Sequence, residues 1–163
     1  MENQEYFNTR DLSSIPPYLI ERIAALRNGK MVDSVYESIK LQQEVIPPIQ
    51  EHFSMITDDL GPDWIGSTLK LVKDGVKVRA IYTKELADKV MTEAPPKLLA
   101  GMEIRTTDPI TLVLGYSDKH ALLCFSSLDS KPDRNRYLFG YDIMFKHWAF
   151  HCFNHYWRQA TPV

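Results

Sequence analysis

The chain predicts an α/β domain: a central mixed sheet of roughly five strands with helices on both faces, an N-terminal helical segment and a long C-terminal helix. Three observations carry this. Between Asp63 and Tyr82 a helical pattern ends at a glycine and passes straight into an alternating strand pattern, which is half of an α/β crossover. Two apolar runs, Thr111 to Tyr116 and Ala121 to Ser127, flank the polar turn Ser117-Asp118-Lys119-His120 as a hairpin does. Between these units, strand and helix patterns alternate.

Residues 1–52 are expected to form a helical lead-in and residues 53–163 one compact α/β unit. In the lead-in, Ser14 is placed to cap a helix whose first turn accepts Pro16 and Pro17. Leu19, Ile20, Ile23, Ala24 and Leu26 line one side of that helix, and Asn28-Gly29 ends it. Met31-Val32 fits a short strand or a turn. From Ser34 to His52 the apolar positions Val35, Ile39, Leu41, Val45, Ile46 and Ile49 suggest a second helix. Pro47-Pro48 should divide it, because an interior proline costs about 3 kcal/mol.

Phe53 to Thr57 suits a strand. Pro62 fits the first turn of the next helix, whose apolar side is Trp64, Ile65, Thr68, Leu69 and Val72. Gly75 supplies the left-handed residue that ends it. Val76, Val78, Ala80 and Tyr82 then alternate with Lys77, Arg79 and Ile81. Lys84 to Met91 is a short helix, broken by Ala94-Pro95-Pro96, with one more turn from Lys97 to Ala100. Met102 to Thr106 is a strand and Asp108-Pro109 a turn. After the hairpin, Leu128 to Tyr141 reads as a polar loop with an aromatic end. The last helix runs from Asp142 to about Gln159, closed by Thr161-Pro162.

The 163 residues suffice for one core, and 44% apolar with 25% charged content excludes disordered and fibrous classes. A net charge of −2 is not the basic footprint of an isolated nucleic-acid-binding module. No apolar run approaches the roughly 20 residues that span a bilayer. The start, MENQEYFNTR, lacks an apolar signal core. The expectation is a cytoplasmic protein with no membrane partner. Cys124 and Cys152 make no disulfide framework and are expected to behave as small hydrophobes. No phosphate-cradling glycine loop and no Gly-x-Ser-x-Gly elbow occurs.

Four stretches carry a resemblance. They are Asp11-Leu12-Ser13-Ser14-Ile15-Pro16 with Leu19, Arg22 and Ile23; Gly75 to Ile81; Gly101 to Arg105; and the series Phe145, Trp148, Phe153, Tyr156-Trp157. Together they resemble a family of archaeal winged-helix transcription regulators whose C-terminal part is called the methanogenesis regulatory protein middle domain. The resemblance covers nearly the whole chain and rests on the order and spacing of several weak patterns. It implies a half-fold similar to phospholipase D, used as a sensor. In the family a winged helix-turn-helix precedes the first stretch, so DNA contact is expected only through a separate N-terminal module. Enzymes of that superfamily carry His-x-Lys with an Asp further on. None of His52, His120, His147, His151 and His155 has Lys two residues on, which favours binding over catalysis. The resemblance thus implies a non-catalytic, effector-binding and dimerising regulatory domain. The rival classes are a metal- or haem-binding redox sensor, a degenerate phosphodiesterase-type enzyme, and a ligand-free dimerisation unit.

Candidate site residues follow. Arg79 and Arg105 lie on strands expected to be neighbours, and Arg79 points away from the valine face. Under a helical cover each needs a carboxylate, with Glu103 and Asp142 as candidates, or a bound anion. Ligands of open α/β sheets favour the carboxyl ends of strands. The predicted ligand-binding set is therefore Arg79, Tyr82, Arg105, Thr106 and Asp142. The small-molecule effector and any cofactor stay unidentified. His147, His151 and His155 recur every fourth residue on the last helix. Adjacent ones can ligate one metal, but the outer pair is ~12 Å apart along the axis, and the bland reading is a His-rich polar face. The breadth of that helix's apolar surface suggests a homodimer.

Overall fold

In the computed structural model, which describes residues 3–34, 37, 40, 41, 44, 47–129 and 132–163, eight strands form one sheet. They are β1 (Lys30–Val32), β2 (His52–Thr57), β3 (Lys77–Tyr82), β4 (Met102–Thr106), β5 (Leu112–Ser117), β6 (Ala121–Phe125), β7 (Tyr137–Gly140) and β8 (Thr161–Pro162). Their order across the sheet is β1-β7-β6-β5-β2-β3-β4-β8. β2, β3 and β4 run parallel, and the other neighbours pair antiparallel. The described helices are α1 (Gln4–Asn8), α2 (Pro17–Ile20), α3 (Trp64–Lys73), α4 (Lys84–Glu93), α5 (Pro96–Ala100) and α6 (Ile143–Gln159), with a 3-10 turn at Ile23–Leu26.

The fold class is the expected one, but eight strands replace the expected five. The five expected strands are β2 to β6. The three additions are short: β1 has three residues, β7 four and β8 two. Such lengths leave no room for alternation to show. β7 is buried at every position, so it reads as an aromatic patch rather than a half-buried strand. β8 contains Pro162, which an edge strand tolerates.

Local differences have local causes. The expected helix from Pro16 to Arg27 divides into α2 and the 3-10 turn. Ser14 does not cap it; its hydroxyl accepts from Thr111 Oγ1 at 3.0 Å instead, and Pro16 holds the cap position. Asp63 stands at the N-cap of α3, so Pro62 precedes that helix rather than opening it. Gly75 has φ 81°, the left-handed turn the sequence calls for between α3 and β3. Of the second helix, Glu37, Lys40, Leu41 and Glu44 are helical, and Pro47 to Gln50 lie outside helix and strand. Val35, Ile39, Val45 and Ile46 fall outside the described residues.

Both sheet faces are covered. On one, Ile56, Ile81, Leu112, Leu114, Leu123 and Phe125 pack against Phe145, Trp148, Ala149, Cys152 and Phe153 of α6, and Leu19 and Leu26 of the lead-in join them. On the other, Ala80 and Tyr82 pack against Leu86, Ala87, Val90 and Leu98, with Trp64 and Leu69 alongside. Near β6 and β7, Cys124, Tyr137 and Phe139 pack with Leu41. Each large side chain buried this way stabilises the fold by roughly 1.5–3 kcal/mol. α6 crosses the sheet from the β5–β6 turn, near its first turns, to β3 and β4, near its last. That crossing positions the site.

Candidate functional site

A cleft of about 420 Å³ opens between the start of β2, the β5–β6 turn and the first half of α6. The β5–β6 turn builds its floor. Asp118 accepts backbone N–H bonds from Gln50 at 3.3 Å, Glu51 at 3.2 Å and His52 at 3.5 Å, and Lys119 Nζ sits 3.3 Å from the same carboxylate. The side chain is 9% exposed. Burial alone would raise its pKa, but the three N–H donors and Lys119 outweigh it and hold the carboxyl below the usual range. Asp118 thereby ties the turn to the start of β2, and its charge is spent on that structural task.

The walls are aromatic. Tyr116, 4% exposed, meets the Phe150 ring edge-on at 5.9 Å and lies 4.9 Å from the His52 ring. His147 stacks on Phe150 at 6.2 Å. Burial lowers the His52 pKa; Arg79 and Lys146 push the same way, against Asp118 and Glu51. His52 is therefore neutral at pH 7. Its Nδ1 is buried and has no hydrogen-bond partner. Lys146 reaches over the cleft and donates from Nζ to the Asp118 carbonyl at 3.1 Å.

The predicted ligand-binding residues are dispersed over three places. Arg79 and Arg105 both lie under the last turns of α6. The Arg79 guanidinium stands 4.9 Å from the Phe153 ring centroid and 5.4 Å from that of Trp157, and its charge opposes the rise that burial causes in the Tyr116 pKa. Arg105 stands 4.3 Å from the Trp157 centroid and donates from Nη1 to the Trp157 carbonyl at 2.8 Å. Such stacking suits a guanidinium, which is weakly hydrated and planar. The ion pairs among the described residues are Arg10–Asp133, Lys40–Glu44, Lys119–Asp118 and Arg134–Asp58, so Glu103 and Asp142 partner neither arginine. Tyr82 is fully buried on the opposite face, its hydroxyl 3.5 Å from Met55 Sδ, and burial raises its pKa. Thr106 sits beside Tyr82 in register and pairs Thr161 on β8. Asp142 caps α6 at its far end, accepting from Met144 N at 3.0 Å and Phe145 N at 3.1 Å.

The histidines divide two and one. The rings of His147 and His151 are 4.9 Å apart, while His155 turns to Tyr18 at 6.3 Å and to Gln159 Nε2 at 3.3 Å. Burial lowers the His151 pKa first, with His147, Arg22 and Arg158 adding to it; burial and Arg158 lower that of His155. No group of three His, Cys, Asp or Glu able to hold a metal ion occurs among the described residues. Cys124 donates to the Asp133 carbonyl at 2.9 Å, and burial pushes its pKa up to about 12. Cys152 is buried and free, its pKa raised likewise.

His52, Tyr116, Asp118, Lys119, Lys146 and Phe150 are absent from the predicted set. The one signal for them is charge in the turn Ser117-Asp118-Lys119-His120, where a solvated loop is the ordinary reading. Nothing in the sequence shows that Lys146 and Phe150 meet that turn.

The sequence model of the family described as methanogenesis regulatory protein FilR1, middle domain, matches residues 41–159. No curated protein matches. The structure is similar to that of TrmBL2, described as an archaeal chromatin protein with a novel mode of DNA binding. The TM-score is 0.65 at 19% identity, over 90% of this chain and 60% of that one. It is also similar to Nuc from Salmonella typhimurium, a phospholipase D family member, with TM-score 0.54 and 10% identity over 83% of this chain and 99% of that one. At these identities the likeness concerns the fold. No described helix is long and apolar enough to cross a membrane.

Proposed function

Because this chain belongs to the family of the methanogenesis regulatory protein FilR1 middle domain, we propose that it is the non-catalytic sensing part of a transcription regulator. A small-molecule effector occupies the cleft at the start of α6, and DNA is contacted by a separate N-terminal module. The observation that supports this reading is the cleft itself. It is of small-molecule size, it has two aromatic walls, and a buried imidazole nitrogen in its lining has no partner. The missing His-x-Lys pattern supports binding over phosphodiester cleavage.

Thermal denaturation in the presence of a metabolite library tests the reading. A compound bound only by the folded chain at a hundredfold excess over its Kd adds about 2.7 kcal/mol and raises Tm. The rise is expected to vanish in Phe150→Ala, whose side chain is partly exposed and not required for the core. A library without any stabilising compound, or a Phe150→Ala variant that keeps the full rise, removes the cleft as a sensing site.

The regulator is further proposed to act as a homodimer through the first turns of α6. Ile143 is 75% exposed and Met144 60%, with Tyr141 close to them in the chain, an apolar group that a second copy would cover. Sedimentation at high micromolar concentration is expected to show a dimer for the native chain and a monomer for the double variant Ile143→Glu with Met144→Glu. A native chain that stays monomeric there rules out this contact.

A further inference from the structure

We infer that the cleft selects a small organic anion with an apolar ring or chain, held by Lys146 against the Tyr116–Phe150 wall; this rests on the sensing role proposed for the same cleft. The cleft is lined by the charged or titratable groups Glu51, His52, Asp118, Lys119, Lys146 and His147, the last exposed and stacked on Phe150. Asp118 is neutralised where it stands, by three backbone N–H groups and by Lys119. Glu51 is exposed, and water carries its charge. His52 is a neutral imidazole. Lys146 differs from all of these. It is half-buried, its Nζ is fixed by a carbonyl oxygen, and no carboxylate of the described residues pairs with it.

An ammonium has three donors. One N–H of Lys146 goes to the Asp118 carbonyl, which leaves donors for a ligand oxygen. Partial burial beside aromatic rings weakens the competition from water, so an anion arriving there gains more than it would at an exposed lysine. Arg79, whose charge acts on both Tyr116 and His52, adds positive potential of the same sign. The apolar part of the ligand is set by Phe150, whose partly exposed ring stands edge-on against Tyr116.

Four probes separate the parts of this inference: benzoate, benzyl alcohol, benzylamine and inorganic phosphate, each titrated into the purified chain and followed by NMR of the Ser117, Lys119, Lys146 and Phe150 amides. Benzoate is expected to shift these amides and to bind about tenfold or more tighter than benzyl alcohol, the worth of one charge-assisted hydrogen bond. Lys146→Met loses that margin and Lys146→Arg keeps it. Phosphate, which lacks the apolar part, binds weaker than benzoate. Benzylamine equal to or tighter than benzoate, or a benzoate affinity unchanged in Lys146→Met, overturns the anion assignment. So does silence from all four probes. In each of these cases the library experiment above decides separately whether the cleft senses anything.

Discussion

Phe145→Ala is expected to lower the unfolding free energy by roughly 3–5 kcal/mol, measured by urea denaturation. The ring is fully buried in the first turn of α6. A Cβ added at Gly140 or at Gly29 would overlap it, so the ring packs directly over bare backbone on β7 and at the start of β1. Backbone cannot collapse into a cavity as flexible side chains do, so truncation leaves most of the void open. The same geometry predicts that Gly140→Ala destabilises through overpacking, by about 1–3 kcal/mol. A loss below about 1 kcal/mol for Phe145→Ala would mean that α6 is not seated on β7 as described.

The second large effect is a loss of stability between about pH 6.5 and pH 4, traced to His120. The residue is 3% exposed, its ring stacks on Phe139 at 5.6 Å, and its Nδ1 lies 3.2 Å from Ser117 Oγ. Burial pushes its pKa down to about 4, against an unfolded value near 6.5. Within that window the unfolded chain binds a proton that the folded chain refuses. Stability therefore falls as pH drops, by up to roughly 3 kcal/mol for this one group. Asp118 acts in a lower window, because its folded pKa is depressed and its contribution fades only below about pH 4. Urea midpoints at pH 7 and pH 4.5 should differ much more for native protein and Lys89→Ala control alike than for His120→Phe, which cannot titrate. If His120→Phe keeps the native slope, the acid sensitivity belongs to other groups such as His52.

Much of the fold is legible in the sequence because long elements announce their period. α3, Gly75 and β3 are readable residue by residue, since amphipathic spacing, a φ-positive turn and strict alternation coincide there. β7 is not, because the four residues Tyr137–Gly140 are buried on both faces and an apolar run that short carries no period. β8 is legible only as the residues closing a helix; its pairing with β4 depends on where α6 ends. The site fared differently. Arg79 was readable as lying on the face away from Val78, but its aromatic partners Phe153 and Trp157 belong to a helix more than 70 positions along. The cleft joins residues around 51, 118 and 147, and only their three-dimensional meeting gives Lys146 its unshared charge.

The seventeen residues of α6 form a rod about 25 Å long, touching the cleft at one end and gripped by Arg79 and Arg105 at the other. A rod is stiff against bending, so a tilt of its near end must sweep the far end through the arginine stack. The cleft and the opposite margin of the sheet, where β4 pairs with β8, are in this way joined by one rigid element.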